Sequence, residues 1–406
     1  MNCKYDVSVI IVNYNGKRYI DTLFKSLYEL DLDNIKLQIV FVDNASSDNS
    51  VEYLERNYNS EILKIIKSKE NTGFAGGNNL GVKNSNGKYI VLLNNDTKVD
   101  KQWIKTLYNR IKDDNTVGMI NSKLLFFYDF IRINTKTNDK FKINKKVQIN
   151  NKEHEVDNKF AKNLLLEDKM TCFGHSHFYI PLLDDESDYE FVFNLSEYNS
   201  ETDFILINED KFFPDKNGVI KVTMLKDEVL KYKKTLIQNA GSGINENYDG
   251  YDIGMGEEDC EKYRNEYEIN NGCGASIIML KKDFEQVGMF DEDFFMYYED
   301  TDLSYRIRKL GKKIIFYPYS IVRHIHTGSS KEWSPFFIFH VVRNKALFVY
   351  KNINKLKGIK LLVKNCMSKD TNIRKAGISG IRIILYNKKL FVNKENVKWV
   401  KLKLEI

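Results

Sequence analysis

The sequence predicts an α/β fold: a mostly parallel sheet with helices on both faces, joined to a β-rich insertion and a basic helical C-terminal tail. Three observations carry that expectation. From residue 7 to 96, near-continuous apolar runs alternate with segments of helical periodicity, as in strands buried on both faces and linked by crossover helices. From about 128 to 238, Asn, Lys and Asp are frequent and apolar residues alternate, the mark of half-buried strands. After 350, Leu and Ile mix with Lys and Arg.

The elements follow in order. VSVIIVNY, LQIVFVDN, LKIIKS and YIVLLNND read as strands, with helices IDTLFKSLYEL and SVEYLERNY between them. Asn49, three residues before Glu52, is expected to cap the second helix in a capping box, with Val51, Leu54 and Tyr58 along one face. NTGFAGGNNLG reads as a Gly-rich turn. In the middle region YEFVFNL, TDFILIN and GVIKVTML are strands, the last entered through DKNG. EDTDLSYRIRKLG is an amphipathic helix: Leu303, Ile307 and Leu310 share a face, Asp302 pairs with Arg306, and Gly311 ends it. KIIFYPYSIVRH is a further strand.

A chain of 406 residues with 42% hydrophobic content can build two or three cores. No run of eighteen apolar residues occurs and MNCKYDVSVIIV lacks the layout of a signal peptide, so a soluble cytosolic protein is expected. The five cysteines show no CxxC pairing and read as reduced thiols rather than a disulfide or zinc framework. The net charge of +6 is concentrated at the end: from 351 onward there are 15 Lys or Arg against 3 Asp or Glu. IKLLVKNC and GISGIRIILYNKKLF suit an anionic membrane surface. They equally suit a solvated basic helix packed on the core by its apolar face.

Polar residues gather where strands end. The first strand closes on Asn13, Tyr14 and Asn15, the second on Asp43 and Asn44, and a later one on Asn94, Asn95 and Asp96. Each alone is an ordinary turn or cap residue. Three such endings make a site, because ligands of open parallel sheets bind outside the carboxyl ends of the strands. A carboxylate there tolerates phosphate only with a cation between them. Asp96 is therefore the expected ligand of Mg²⁺ or Mn²⁺, with Asn94 reaching toward a sugar. A second acidic cluster, FDEDFFMYYEDTDLSYR, sets Asp291, Glu292, Asp293, Glu299, Asp300 and Asp302 among aromatic residues. Burial there would raise a carboxyl pKa and suit a general base, although Asp300 equally suits a helix cap. His324 ends its strand in RHIHTGSS, where the imidazole can complete a metal shell and Arg323 or the serines can meet phosphate. His175 and His177 make a zinc half-site that no third ligand completes.

SVIIVNYNG, IVFVDNASSDNS, NTGFAGGNNLG, LLNNDTKV, CGASIIMLKKDFEQVGMFDEDFFMYYEDTDLSYRIRKLG and VRHIHTGSS occur in that order. As a set they resemble the family 2 glycosyltransferases of the GT-A fold, most closely the rhamnosyltransferase-like branch, over roughly residues 6–125 and 238–350. The resemblance implies a nucleotide-sugar-binding half at 1–127 and an acceptor and catalytic half at 239–350; the β-rich insertion then fills 128–238 and the basic helical region 351–406. It implies that Asp43 holds the nucleotide base, aided by Asn13 and Asn71. Tyr14, Asn44, Gly73 and Asn79 fall in the same donor-binding motifs, Asn79 at the family's Asn-x-Gly position. Asn94, Asn95 and Asp96 stand at the Asp-x-Asp motif, Glu299 and Asp300 at the Glu-Asp motif with Asp300 the base, and His324 at the histidine near the diphosphate. The first acid of Asp-x-Asp is Asn here, one carboxylate fewer for the metal. Gln-x-x-Arg-Trp is absent, which favours single or few additions over long-chain synthesis.

The implied activity is inverting, metal-dependent transfer from a nucleotide-diphosphate sugar to a saccharide or lipid-linked saccharide in surface polysaccharide synthesis, in the cytoplasm, where the basic tail allows peripheral contact with the inner face of the cytoplasmic membrane. No nucleic-acid partner is implied. Two rivals stand beside it. A nucleotidyltransferase would use Lys17 and Arg18 in NYNGKRYID as its basic loop. A non-catalytic nucleotide-sugar-binding protein would keep the pocket without turnover. The insertion's Tyr and Phe could stack on an acceptor glycan or mediate self-association.

Overall fold

The computed structural model describes residues 3–183, 188–325 and 332–386. They form two compact units, each with its own core. The first takes in the described parts of Met1–Phe127, Asn239–Ile253 and Glu261–Ile406; the second is Tyr128–Gln238 with Gly254–Cys260.

The first unit begins β1 (Tyr5–Asn13), α1 (Ile20–Tyr28), β2 (Leu37–Asp43), α2 (Ser50–Asn57), β3 (Leu63–Lys67), α3 (Gly73–Lys83), β4 (Gly87–Asn94), β5 (Thr97–Val99), α4 (Trp103–Ile111) and β6 (Val117–Phe126). β1 pairs in parallel with β2 and β4, and β2 with β3. The strand Ser276–Leu280 enters antiparallel between β4 and β6, and Lys313–His324 runs parallel to β6 and antiparallel to β5. The sheet is thus mixed: β4, β1, β2 and β3 are parallel, the strand Ser276–Leu280 is reversed between β4 and β6, and β5 is antiparallel to Lys313–His324. Every residue of β2 is buried, which accounts for its unbroken apolar run. Val9, Ile11, Phe24, Phe41, Leu54, Val91, Trp103 and Leu107 belong to one continuous core.

Two local expectations are corrected. The Gly-rich turn is a helix, α3. Its glycines serve contact rather than flexibility: a Cβ at Gly77 would lie 2.6 Å from a Val12 methyl, and one at Gly81 2.4 Å from an Ile10 methyl, so α3 lies closer to the sheet than any side chain permits. The capping box of α2 is also absent. Asn49 is left-handed (φ 59°) and makes no side-chain cap. The Ser50 backbone N–H instead donates to Asp48 at 3.1 Å.

The second unit is β-rich. Its long strands Phe130–Asn144 and Lys169–Pro181 pair antiparallel, and Tyr189–Ser196 pairs antiparallel with Val219–Met224. Ile133, Phe141, Phe178, Phe191, Phe193 and Ile205 pack in its core. The first unit ends in the helices Pro335–Phe348, Lys355–Cys366 and Thr371–Leu385. All five cysteines are free.

Replacing Gly81 by Val should drive a branched side chain into Ile10 and Val42 and cost about 2 kcal/mol. Urea unfolding of the variant should show a lower midpoint; an unchanged midpoint would mean that α3 does not need the close approach.

Candidate active site

The parallel register brings the polar strand ends together. Asn13 is the register partner of Asp43, and Val12 that of Asn94. The Asn13 amide donates to Asp43 Oδ1 at 3.3 Å and to Ser46 Oγ at 3.1 Å, and Asn95 Nδ2 donates to Asn13 Oδ1 at 2.8 Å. Asp43 Oδ2 accepts from the Ser46 backbone at 3.1 Å. Asp43 is therefore fixed by the turn it opens, while Tyr14 stands exposed beside it. Asn44, itself buried, accepts from Thr72 N–H at 3.0 Å and donates to Asn71 Oδ1 at 3.0 Å and Gly73 O at 2.9 Å. One asparagine thus ties the end of β2 to the start of α3.

Asp96 and His324 meet directly, with Oδ1 and Nε2 3.1 Å apart and both side chains buried. The Asn94 amide lies 3.1 Å from the same nitrogen. Among the described residues no cluster of three or more His, Cys, Asp or Glu could hold a metal ion. Asp96 and His324 offer one carboxylate oxygen and one imidazole nitrogen at the sheet's edge. That donor set fits an ion such as Mn²⁺, which takes few protein ligands and completes its shell with substrate phosphates and water. Arg323 is turned to backbone, its guanidinium 3.3 Å from the carbonyls of Phe126 and Phe127. His326 and the serines of RHIHTGSS lie outside the described residues.

Asp300 joins this edge through one short segment. The Asn94 N–H donates to Ala275 O at 3.0 Å, and the adjacent Gly274 N–H donates to Asp300 Oδ2 at 3.1 Å. Asp300 Oδ1 accepts from Thr301 N–H at 2.7 Å. The carboxyl is crowded by protein yet partly exposed; burial raises its pKa and the Gly274 and Thr301 hydrogen bonds oppose that rise. Glu299 is different. It is buried, its Oε2 has no hydrogen-bond partner, and burial followed by the Asp300 charge pushes its carboxyl well above the ordinary value.

The loop before Asp300 is strained. Phe295, Tyr297 and Tyr298 have φ of 63°, 70° and 68°, left-handed conformations that cost about 1–3 kcal/mol each in non-glycine residues. Buried polar groups offset that cost. Asn344 Nδ2 donates to the carbonyls of Phe294, Met296 and Tyr297 at 2.8, 2.8 and 2.7 Å, and the Arg343 guanidinium donates to Asp293 O and Phe294 O at 3.0 Å each. Burial lowers Arg343 to about 10. The buried His340 ring stacks on Phe295; burial holds it well below the usual histidine value, so it is neutral and Nδ1 accepts from Arg343 at 3.2 Å. From the other side Ala75 N–H donates to Phe295 O at 3.2 Å. A Cβ at Gly73 would lie 2.3 Å from that oxygen, and Gly73 has φ of 73°: only glycine fits. Asn79 completes the link, donating to Phe290 O and accepting from Phe290 N–H at 2.9 and 3.0 Å.

The structure therefore links the polar strand ends, the Gly-rich segment and Asp300 through one network of hydrogen bonds. Sequence reasoning missed the Arg343 and Asn344 clamp and also Asp252. Asp252 Oδ1 accepts from Asn239 Nδ2 and Ser242 Oγ at 2.7 and 2.8 Å. Crowding by protein and then the Asp300 charge raise its carboxyl, against those two bonds. Asn239 Oδ1 in turn accepts from Asn121, whose own Oδ1 receives Cys273 N–H at 2.6 Å, so the two acids hang from neighbouring points of one backbone. No spacing rule marks Asp252; the polar pair Arg343 and Asn344 inside an apolar helix was the signal available for the clamp. Lys17 and Arg18 lie over the rings of Tyr53 and Tyr19. His175 and His177 belong to the second unit.

A mixed sheet with helices on its faces and polar groups at the carboxyl edge of its parallel strands is the fold of the GT-A glycosyltransferases. Over 96% of this chain and 57% of the other, it is similar to the crystal structure of GalNAc-T7 with UDP, GalNAc and Mn²⁺, at a TM-score of 0.51 and 13% identity. Residues 8–180 match the family described as Glycosyl transferase family 2. A cholesterol galactosyltransferase of Borreliella burgdorferi is 31% identical over 133 residues, 33% of this chain and 36% of that protein. The poly(ribitol-phosphate) beta-N-acetylglucosaminyltransferase TarS of Staphylococcus aureus is 29% identical over 99 residues, 24% and 17% of the two chains. The likeness thus spans about a third or less of these relatives.

Glu299 sets a pH signature. Its raised folded-state pKa favours the neutral carboxyl, so its contribution to stability is present below the unfolded value of about 4.3. It is lost as pH climbs through the folded value. Glu299→Gln keeps the shape without the charge, so its melting temperature should gain on the parent's between pH 5 and pH 8; a gap that does not change with pH would contradict the buried, unpartnered carboxyl.

Proposed function

We propose that the chain moves a sugar from a nucleotide-diphosphate donor to a saccharide or lipid-linked saccharide hydroxyl, with inversion at the anomeric carbon, in cell-surface polysaccharide synthesis. One observation carries the proposal: Asp300 is joined to the Asp96 and His324 pair through Gly274, Ala275 and Asn94 by three hydrogen bonds. Asp43, Asn13 and Asn71 lie along the same edge, where they would receive the nucleotide. The rhamnosyltransferase-like character of the motifs makes a deoxyhexosyl or hexosyl donor the first choice.

In this proposal Asp300 accepts the proton of the acceptor hydroxyl as that oxygen bonds to the anomeric carbon, and the bond from that carbon to the diphosphate oxygen breaks with its electron pair leaving on the diphosphate. The two N–H groups on Asp300 aim its carboxylate, and burial raises its proton affinity, which strengthens it as a base. Asp96 and His324 would hold a divalent cation, which supplies positive charge to the departing diphosphate. Asn94 would reach toward the sugar, with Asn95 beside it at the diphosphate motif. Asp252, beside the base and open to solvent, is placed to accept a further hydroxyl of the acceptor. Among the described residues no helix is long and apolar enough to cross a membrane.

A screen of dTDP-, UDP- and GDP-sugars with Mg²⁺ or Mn²⁺, reading release of the nucleotide diphosphate, should find an active donor; pyrophosphate consumption without sugar transfer would point to the rival. With that donor, Asp300→Asn should lose about 10² to 10⁴ in turnover while calorimetry shows nucleotide binding intact. Asp96→Ala should instead weaken binding only when the metal is present. Near-normal turnover in the first variant would remove Asp300 as the base, and metal-independent affinity in both parent and second variant would remove the cation site.

A further inference from the structure

The helix Lys355–Cys366 has two apolar faces, and the fold uses one of them. Gly358 and Leu362 are buried. A Cβ at Gly380 of the following helix would lie 2.3 Å from Leu362, and one at Gly377 2.6 Å from Cys366 N, so the two helices pack closely along that side. The other side carries Leu356, Ile359, Val363 and, just past the helix end, Met367, which are 70, 39, 44 and 76% exposed. Their spacing of three, four and four residues makes a single stripe. One position after each of the first three comes a lysine, Lys357, Lys360 and Lys364, all exposed, so a row of ammonium groups borders the stripe. From 351 to 386 there are nine Lys or Arg and a single acid, Asp370. The next helix adds exposed Ile378 and Leu385, with Arg374 and Arg382 on the same face.

We infer that this stripe and its lysine border form a docking surface for an anionic lipid bilayer, the helix lying in the plane of the interface. An apolar row beside a basic row is what an interfacial helix needs: the leucine, isoleucine, valine and methionine enter the acyl boundary while the lysine stems reach back to the headgroups. Charge selects among occupants. A second copy of the chain, docking stripe to stripe across a two-fold axis, would bring lysine rows against each other. An anionic surface pairs with every one of them, worth roughly fivefold in affinity per lysine. The inference stands apart from the transfer reaction and is tested without any donor or acceptor.

The whole 406-residue chain is mixed with vesicles of phosphatidylcholine alone and of phosphatidylcholine with about one third phosphatidylglycerol, and the bound fraction is read by co-sedimentation. The parent should bind the anionic vesicles at least tenfold better than the neutral ones and lose that binding as salt rises. Leu356→Glu with Val363→Glu, both at exposed positions, and separately Lys360→Glu with Lys364→Glu, should each reduce binding tenfold or more with unchanged circular dichroism. Equal binding to both vesicle types, or no effect of either double variant, would overturn the proposal. So would a concentration-dependent dimer, seen by light scattering without lipid, that the Leu356 and Val363 variant abolishes.

Discussion

The row of polar strand ends depends on the register of three parallel strands. Because β1 is aligned with β2 so that Asn13 faces Asp43, and with β4 so that Val12 faces Asn94, the polar residues at the three strand ends fall in one row. A slip of one residue would send each side chain to the opposite face of the sheet. Fully buried apolar runs in β2 and β4 resist such a slip, since it would exchange every contact with the helices on both sides at once. The core and the site are thus two results of the same alignment.

The acidic half of the crevice is held differently. Asp300 follows a loop with three left-handed non-glycine residues, a conformation that the local sequence does not favour. It persists because Asn344 and Arg343 satisfy its carbonyls from one side while α3 meets Phe295 from the other. The C-terminal helices bury Leu347, Phe348 and Ile383 against Phe294 and Tyr298, so the segment beyond the sheet acts as a brace for the segment bearing the acid. Each buried carbonyl that would otherwise lack a partner is worth about 1–3 kcal/mol, comparable to the strain.

Much of this was legible in the chain. Strands 1 to 4, the helix carrying Asp302 and Arg306, and the polar strand endings follow from periodicity and from where Asn and Asp interrupt apolar runs. What was not legible had physical reasons. NTGFAGGNNLG read as a turn because glycine opposes helix in isolation; tertiary packing against Val12 and Ile10 reverses that preference. Asn49 looked like a cap until the backbone turned left-handed there and passed the work to Asp48. The reversed strand Ser276–Leu280 is apolar like its neighbours, and composition does not record direction. Asp252 and the Arg343 and Asn344 clamp act across long separations in sequence, where no local pattern reports a contact.

The central claim, that Asp43, Asp96, Asp300 and His324 surround one nucleotide-sugar cavity, has a direct test in crystals soaked with Mn²⁺ and UDP, GDP or dTDP. Anomalous scattering should place a manganese ion bonded to the Asp96 carboxylate and His324 Nε2, with the nucleotide base beside Asp43. Manganese bound elsewhere, or nucleotide seated away from the ends of β1, β2 and β4, would contradict the account.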